Sequence, residues 1–133
     1  MQRSMNAAVR FVAGLKKNEH ITPTYIHLNL MPYSVRRDYM CVGLLCSIFK
    51  SGEPQYIFER MVFHSSDAAG FNRASTLDLV IPWTRTEFYS DSSRVYAARL
   101  WNRLPIVIRV QFDRPCFKRK LAEFLRQDHF RYS

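Results

Sequence analysis

The sequence predicts an α+β fold that is mostly helical: a helical front half, then a β-hairpin, a short helix anchored on a tryptophan, and a C-terminal helix. Three observations lead there. Apolar residues recur at three- and four-residue spacing through most of residues 1–63. Residues 77–81 (LDLVI) instead alternate and end in β-branched side chains. The composition is that of a chain with a core, 47% hydrophobic and 14% aromatic with only 4 glycines, which excludes a disordered tail. A length of 133 residues suits one domain and is short for two.

Residues 2–15 (QRSMNAAVRFVAGL) place Met5, Ala8, Val9 and Val12 on one helical face, and Gly14 stands where that helix should end. Arg3 and Arg10 share the other face. Lys16 and Lys17 follow, where cations suit the negative end of the helix dipole. Thr22 and Pro23 then read as N-cap and first helical residue of a short helix within residues 20–30, closed by Pro32. Ser34 reads as the cap of a longer helix to about Lys50. Its apolar residues Val35, Tyr39, Met40, Val42, Leu44, Leu45, Ile48 and Phe49 cover most sides, so it should be central to the core. Ser51 and Gly52 end it, and Pro54 opens a further short helix over residues 55–63.

Between residues 64 and 76 the composition shifts to Ser, Asp, Ala, Gly and Asn, predicting a loop. Residues 77–81 and 84–89 (TRTEFY), joined by Pro82 and Trp83, form the predicted hairpin, which must lie against helices because a lone hairpin is marginal in water. In residues 93–105 small Ala97 and Ala98 allow close backbone approach, and Trp101 is the expected packing anchor, an aromatic side chain burying about 150–250 Å². Leu104 supports it and Pro105 stops the segment. Residues 106–112 are apolar and β-branched around Arg109. Asp113 can cap a last helix, residues 114–127, with Phe117, Leu121, Phe124 and Leu125 on one face and Lys118, Arg119 and Lys120 on the other. Residues 129–132 should fray.

Twenty basic residues against 11 acidic ones give a net charge of +9, which suits a polyanionic partner. From residue 85 onward 11 basic residues face 5 acids. Arg94, Arg99 and Arg103, four to five residues apart, are either the solvated side of a core element or a row laid along a phosphate backbone. With Arg85, Lys118, Arg119 and Lys120 they are the candidate nucleic-acid contacts, and Tyr89 and Tyr96 are candidate stacking partners. Catalysis is not expected. The acids are scattered singly, whereas polymerase chemistry needs close carboxylates holding divalent metals. Neither a nucleophile elbow nor a phosphate-cradling glycine loop occurs. Cys41 and Cys46 read as core residues, His20, His27, His64 and His129 lack ligand spacing, and no metal or cofactor is expected. Three cysteines without a disulfide pattern or secretory leader point to cytoplasm or nucleus, and no apolar run is long enough to span a membrane.

NAAVRFVAGL (residues 6–15), HITP (20–23) and LMPYSVRRDY (30–39), followed by VIPWTRTEFYSDSSRVYAARLWNRLP (80–105) and FKRKLAEFL (117–125), resemble in this order the region beyond the polymerase core of non-LTR (LINE-type) retrotransposon reverse transcriptases. The likeness covers nearly the whole chain. Two departures are Leu30-Met31-Pro32, where the family often has Trp-Leu-Pro, and Ala98, where a proline is common. The chain has no palm carboxylates, endonuclease domain or Cys/His knuckle. The resemblance therefore implies a non-catalytic C-terminal region that helps hold RNA or DNA. The alternative is a structural or protein-interaction domain with an incidental basic surface.

Overall fold

The computed structural model describes residues 1–64, 77–111 and 113–131, with the side chains of Phe130 and Arg131 left out. Eight helices are described: α1 (Gln2–Ala13), α2 (Thr22–His27), α3 (Tyr33–Ser51), α4 (Gln55–Phe58), α5 (Glu87–Ser90), α6 (Ser93–Arg103), α7 (Ile106–Arg109) and α8 (Arg114–Arg131). The predominance of helix agrees with the sequence. The predicted 64–76 loop lies, beyond His64, outside the described residues. Two compact units are formed, residues 1–39 with 122–133 and residues 40–121, and the boundaries between them fall within α3 and α8.

In the first unit, Gly14 ends α1 in the left-handed conformation (φ 64°), with the Gly14 and Leu15 amides donating to Phe11 and Arg10 carbonyls. This is the doubly bonded helix ending that glycine permits at no steric cost. Arg10 holds the loop that follows, its guanidinium donating to the Lys16 and Glu19 carbonyls at 2.8 Å each. The α2 cap is not the expected Thr22. Ile21 occupies that position without a side-chain hydrogen bond, and Pro23 lies in the first turn. A polar cluster ties α1, α2 and α3 together. Tyr25 Oη donates to Asn6 Oδ1 at 2.8 Å, Gln2 Nε2 donates to Asn6 Oδ1, and Gln2 Oε1 accepts the Tyr33 amide at 2.7 Å. That last bond satisfies an amide at the start of α3, which begins one residue before the predicted Ser34 cap.

In the second unit, α3 buries one face only. Val42, Leu45, Cys46 and Ile48 are buried, whereas Met40 and Leu44 are exposed, so the nearly continuous apolar run is less central than its composition suggested. α4 ends at Phe58, five residues earlier than predicted. α6 is as expected: Val95, Ala97, Ala98, Leu100 and Trp101 are buried, and Leu104 follows as its buried C-cap. Trp101 sits edge-on to Phe49 with ring centroids 5.0 Å apart, and Phe49 also meets Phe63.

The predicted β-hairpin does not form among the described residues. Of residues 77–81 only Leu79 makes a ladder contact, an isolated antiparallel bridge to Phe63, with the Val80 amide donating to the Val62 carbonyl and the His64 amide to the Asp78 carbonyl. The intended partner, residues 84–89, enters α5 instead, because Thr86 Oγ1 accepts the Tyr89 amide and caps that turn. The other side of Leu79 is met by a side chain. Asn102 Oδ1 accepts the Leu79 amide at 2.8 Å while Asn102 Nδ2 donates to the Leu79 carbonyl at 2.9 Å. Trp101 Nε1 donates to the Leu77 carbonyl at 3.0 Å, and the half-buried Arg109 pairs with Asp78. Residues 106–109 form α7, with Pro105 at its N-cap. α8 continues to Arg131 rather than fraying after Gln127.

Two substitutions probe this arrangement. Trp101→Ala should lower unfolding free energy by about 3–5 kcal/mol in denaturant titration, from a lost buried ring and the lost hydrogen bond to the Leu77 carbonyl. Asn102→Asp keeps the acceptor for the Leu79 amide but sets a second acceptor against its carbonyl. It should cost about 1–3 kcal/mol, whereas a neutral result would mean that the amide does not hold residue 79.

Candidate nucleic-acid interface

α6 carries three of the predicted contacts, and helical geometry divides them. Arg99 and Arg103 are four residues apart, share one helix face and are exposed. Arg94, five residues before Arg99, is turned off that face and half-buried, with its guanidinium donating to the Arg60 carbonyl at 2.8 Å. The predicted row of three is therefore a pair, and Arg94 joins α6 to the segment after α4. Trp101, Leu104 and Pro105 serve the scaffold.

Next to this pair lies a feature that the sequence reading did not single out. α5 packs against α6, and Arg99 donates to Ser90 Oγ at 3.0 Å. Phe88, on α5, is 92% exposed, and Trp83, just before it, is 81% exposed. Tyr89 is exposed to a lesser degree and Arg85, between the two large aromatics, is exposed as well. Exposed Glu87 and Asp91 bring acid to the same segment. The expected stacking residue Tyr96 is half-buried on α6. Trp83 and Phe88 escaped notice because they fell inside a predicted hairpin, where alternate residues face a core. The available signal was Thr86 followed by Glu87, a capping residue before an acid in a helix's first turn.

A second group of cations lies on α8. Lys118 and Arg119 are exposed, and Arg119 reaches Cys116 Sγ at 4.0 Å. Lys120 is half-buried and donates to Gln111 Oε1 at 3.0 Å, which ties it to the turn before the helix. α8 starts with Arg114, has no acid in its first turn, and continues into Lys118-Arg119-Lys120. Arg114, in the first turn, opposes the helix dipole and costs rather than adds stability, up to about 1 kcal/mol, whereas Lys118, Arg119 and Lys120 lie beyond that turn. Asp113 offsets part of this by accepting the Cys116 amide at 3.2 Å.

Cys41 and Cys116 are half-buried and Cys46 is buried. Burial pushes the Cys46 thiol above its ordinary pKa, against a smaller opposing pull from Lys50 and Arg114. No cluster of His, Cys, Asp and Glu that could hold a metal occurs among the described residues, and no helix among them is long and apolar enough to cross a membrane. No protein-family model, curated protein or solved structure matches the chain.

The thiolate is the reactive form, so a raised pKa slows alkylation. Cys46 should react with iodoacetamide at pH 8 more slowly than Cys41 or Cys116, as followed by peptide mass spectrometry. Because the folded state favours the neutral thiol, the stability Cys46 contributes is present below the ordinary thiol pKa and is lost as pH rises through the raised value. Faster labelling of Cys46 than of the other two would contradict this.

Proposed function

We propose that this chain is a nucleic-acid-binding region without catalytic activity of its own, the part beyond the polymerase core of a non-LTR retrotransposon reverse transcriptase. It grips RNA or DNA nonspecifically through phosphates and acts in the nucleus or cytoplasm without a cofactor. The motifs quoted above, from HITP to LWN-x-LP and the final FK helix, support the family reading. The observation that carries the binding reading is a pair of nearly bare aromatic rings, Trp83 and Phe88, close in sequence to exposed Arg85, on a segment that Arg99 of α6 bonds through Ser90. Exposed aromatic rings among arginines offer stacking surfaces for unpaired bases and cations for the strand that links them. Lys118 and Arg119, both exposed on α8, extend the basic supply.

A second reading, a protein-interaction region, is favoured by one feature. A cleft of about 310 Å³ is lined by Leu44, Tyr56, Ile57, Met61 and Ala97, and Leu44 and Tyr56 are exposed there. Occupancy by an apolar partner would be insensitive to salt and to Arg99 and Arg103, which do not line the cleft, whereas Arg94 does.

Binding to a single-stranded oligonucleotide, measured by fluorescence anisotropy across salt concentrations, separates the two. Log affinity should fall linearly with log salt. Arg99→Gln with Arg103→Gln should reduce that slope by about 1–2, since each neutralised phosphate contributes roughly 0.7 for single strands. Trp83→Ala and Phe88→Ala should each weaken binding by about 1–3 kcal/mol with little change in slope. If Arg99, Arg103, Lys118 and Arg119 are changed together to Gln and affinity is unaltered, the nucleic-acid reading fails. Metal-dependent nucleotide incorporation by the purified chain would overturn its non-catalytic part.

A further inference from the structure

The first unit holds a cavity of about 240 Å³ lined by residues of α1, α2, the start of α3 and the end of α8. None of its lining residues is among the nucleic-acid contacts named above. The volume is below the roughly 300–1,000 Å³ of drug-sized ligand sites, so it suits a single ring rather than two fused ones. His129 of α8 is part of the wall, but none of the described lining residues is Lys, Arg, Asp or Glu. A charged ligand would lose its water there without gaining a carboxylate, ammonium or guanidinium partner, so a neutral one fits better.

The hydrogen bonds of the wall leave one kind of group over. Asn6 Oδ1 accepts twice, from Tyr25 Oη at 2.8 Å and from Gln2 Nε2 at 2.7 Å. Gln2 Nε2 also donates to Tyr25 Oη at 3.3 Å, and Gln2 Oε1 accepts the Tyr33 amide. A carboxamide oxygen has two lone pairs, so both of those on Asn6 are taken. The same two bonds fix the orientation of the amide, because the reverse one would set an amino group against the Gln2 donor. What remains is the Asn6 Nδ2 amino group, which has no partner among the described residues. Asn6 therefore offers the cavity donors only. The Thr22 and Ser34 hydroxyls line the same space, also without partners among the described residues, and each can give or accept a hydrogen bond. Tyr33, 38% exposed, adds an aromatic ring.

We infer that this cavity receives a single pyrimidine base of the keto type, as in uracil or thymine. A ring carbonyl oxygen of the base accepts from Asn6 Nδ2, a hydroxyl of Thr22 or Ser34 accepts the ring N–H, and Tyr33 supplies the stacking face. An aromatic ring with hydrogen-bonding groups beside it is the donor and acceptor set by which unpaired bases are held. Adenine fits less well for two reasons. An asparagine reads adenine by using its oxygen and its amino group together, and the Asn6 oxygen is occupied. Adenine also has two fused rings. The inference stands whether or not Trp83 and Phe88 bind a strand, and the base is either that of a free nucleoside or one carried on a strand.

The test titrates the full chain with uridine and, separately, with adenosine, following ¹⁵N amide shifts by NMR. Uridine should saturate shifts among residues 2–6, 22–25 and 33–34. Adenosine should bind roughly ten-fold more weakly, the loss expected when one hydrogen bond is not made. Asn6→Asp keeps an oxygen for Tyr25 and Gln2 but removes the amino group, and should weaken uridine by at least about ten-fold. Tyr33→Leu, which leaves that polar cluster in place, should weaken it about five-fold or more through lost stacking. Trp83→Ala with Phe88→Ala should leave the uridine shifts unchanged, so failure of the strand-binding face and failure of this cavity are read separately. A second arm compares oligouridine with oligoadenosine of equal length. If uridine fails but oligouridine shifts the same amides with the same dependence on Asn6 and Tyr33, the strand is the source of the base. Equal affinity for the uridine and adenosine forms would overturn the inference. So would uridine shifts that persist unchanged in both variants with native amide spectra, or the absence of shifts at these residues with nucleoside and strand alike.

Discussion

One carboxamide organises the second unit. Asn102 presents a donor and an acceptor in the same plane and spacing as a peptide group, and both are used on Leu79. A buried backbone amide or carbonyl left unpaired costs free energy comparable to a lost hydrogen bond. Leu79 is buried, yet among the described residues no strand occupies that side, so the side chain of α6 takes the strand's place. The adjacent Trp101 performs the same service for the Leu77 carbonyl while its ring packs on Phe49. Trp-Asn at consecutive helical positions thus holds Leu77 and Leu79, and Arg109 pairs with Asp78 between them.

That clamp also frees the chain that follows. Residues 84–89 are not required to complete a hairpin, so Thr86 can cap a one-turn helix and Phe88 can stand in solvent. α5, which carries that ring, is laid against α6, and Arg99 bonds its Ser90. The same helix therefore supplies the structural anchor on its buried face and the cationic pair on its exposed face. Charge alone would have allotted all seven named cations to one surface. Geometry divides them: Arg94 and Lys120 are bound into local structure, while Arg85, Arg99, Arg103, Lys118 and Arg119 are exposed.

Much of this was readable in advance, for physical reasons that differ by element. α1 was legible because Gly14 is an ending only a left-handed residue makes cheaply. α6 was legible because small and large apolar residues alternate around a tryptophan before a proline. The hairpin was misread because LDLVI has the pattern of a strand whatever meets its edge. Local sequence cannot say that an asparagine 23 residues away in the chain will be that edge. The one-sided burial of α3 was hidden in the same way, since an apolar run specifies what can be buried and not what arrives to bury it.

The sequence by itself determined the helical content, the identity of the Trp101 anchor and the excess of positive charge. Each of these depends on residue type and spacing within a few turns. Only the tertiary structure decided which arginines are spent on backbone carbonyls and that Phe88 and Trp83 remain bare. Those outcomes depend on side chains far apart in the chain competing for the same buried polar groups, a competition that no local pattern encodes.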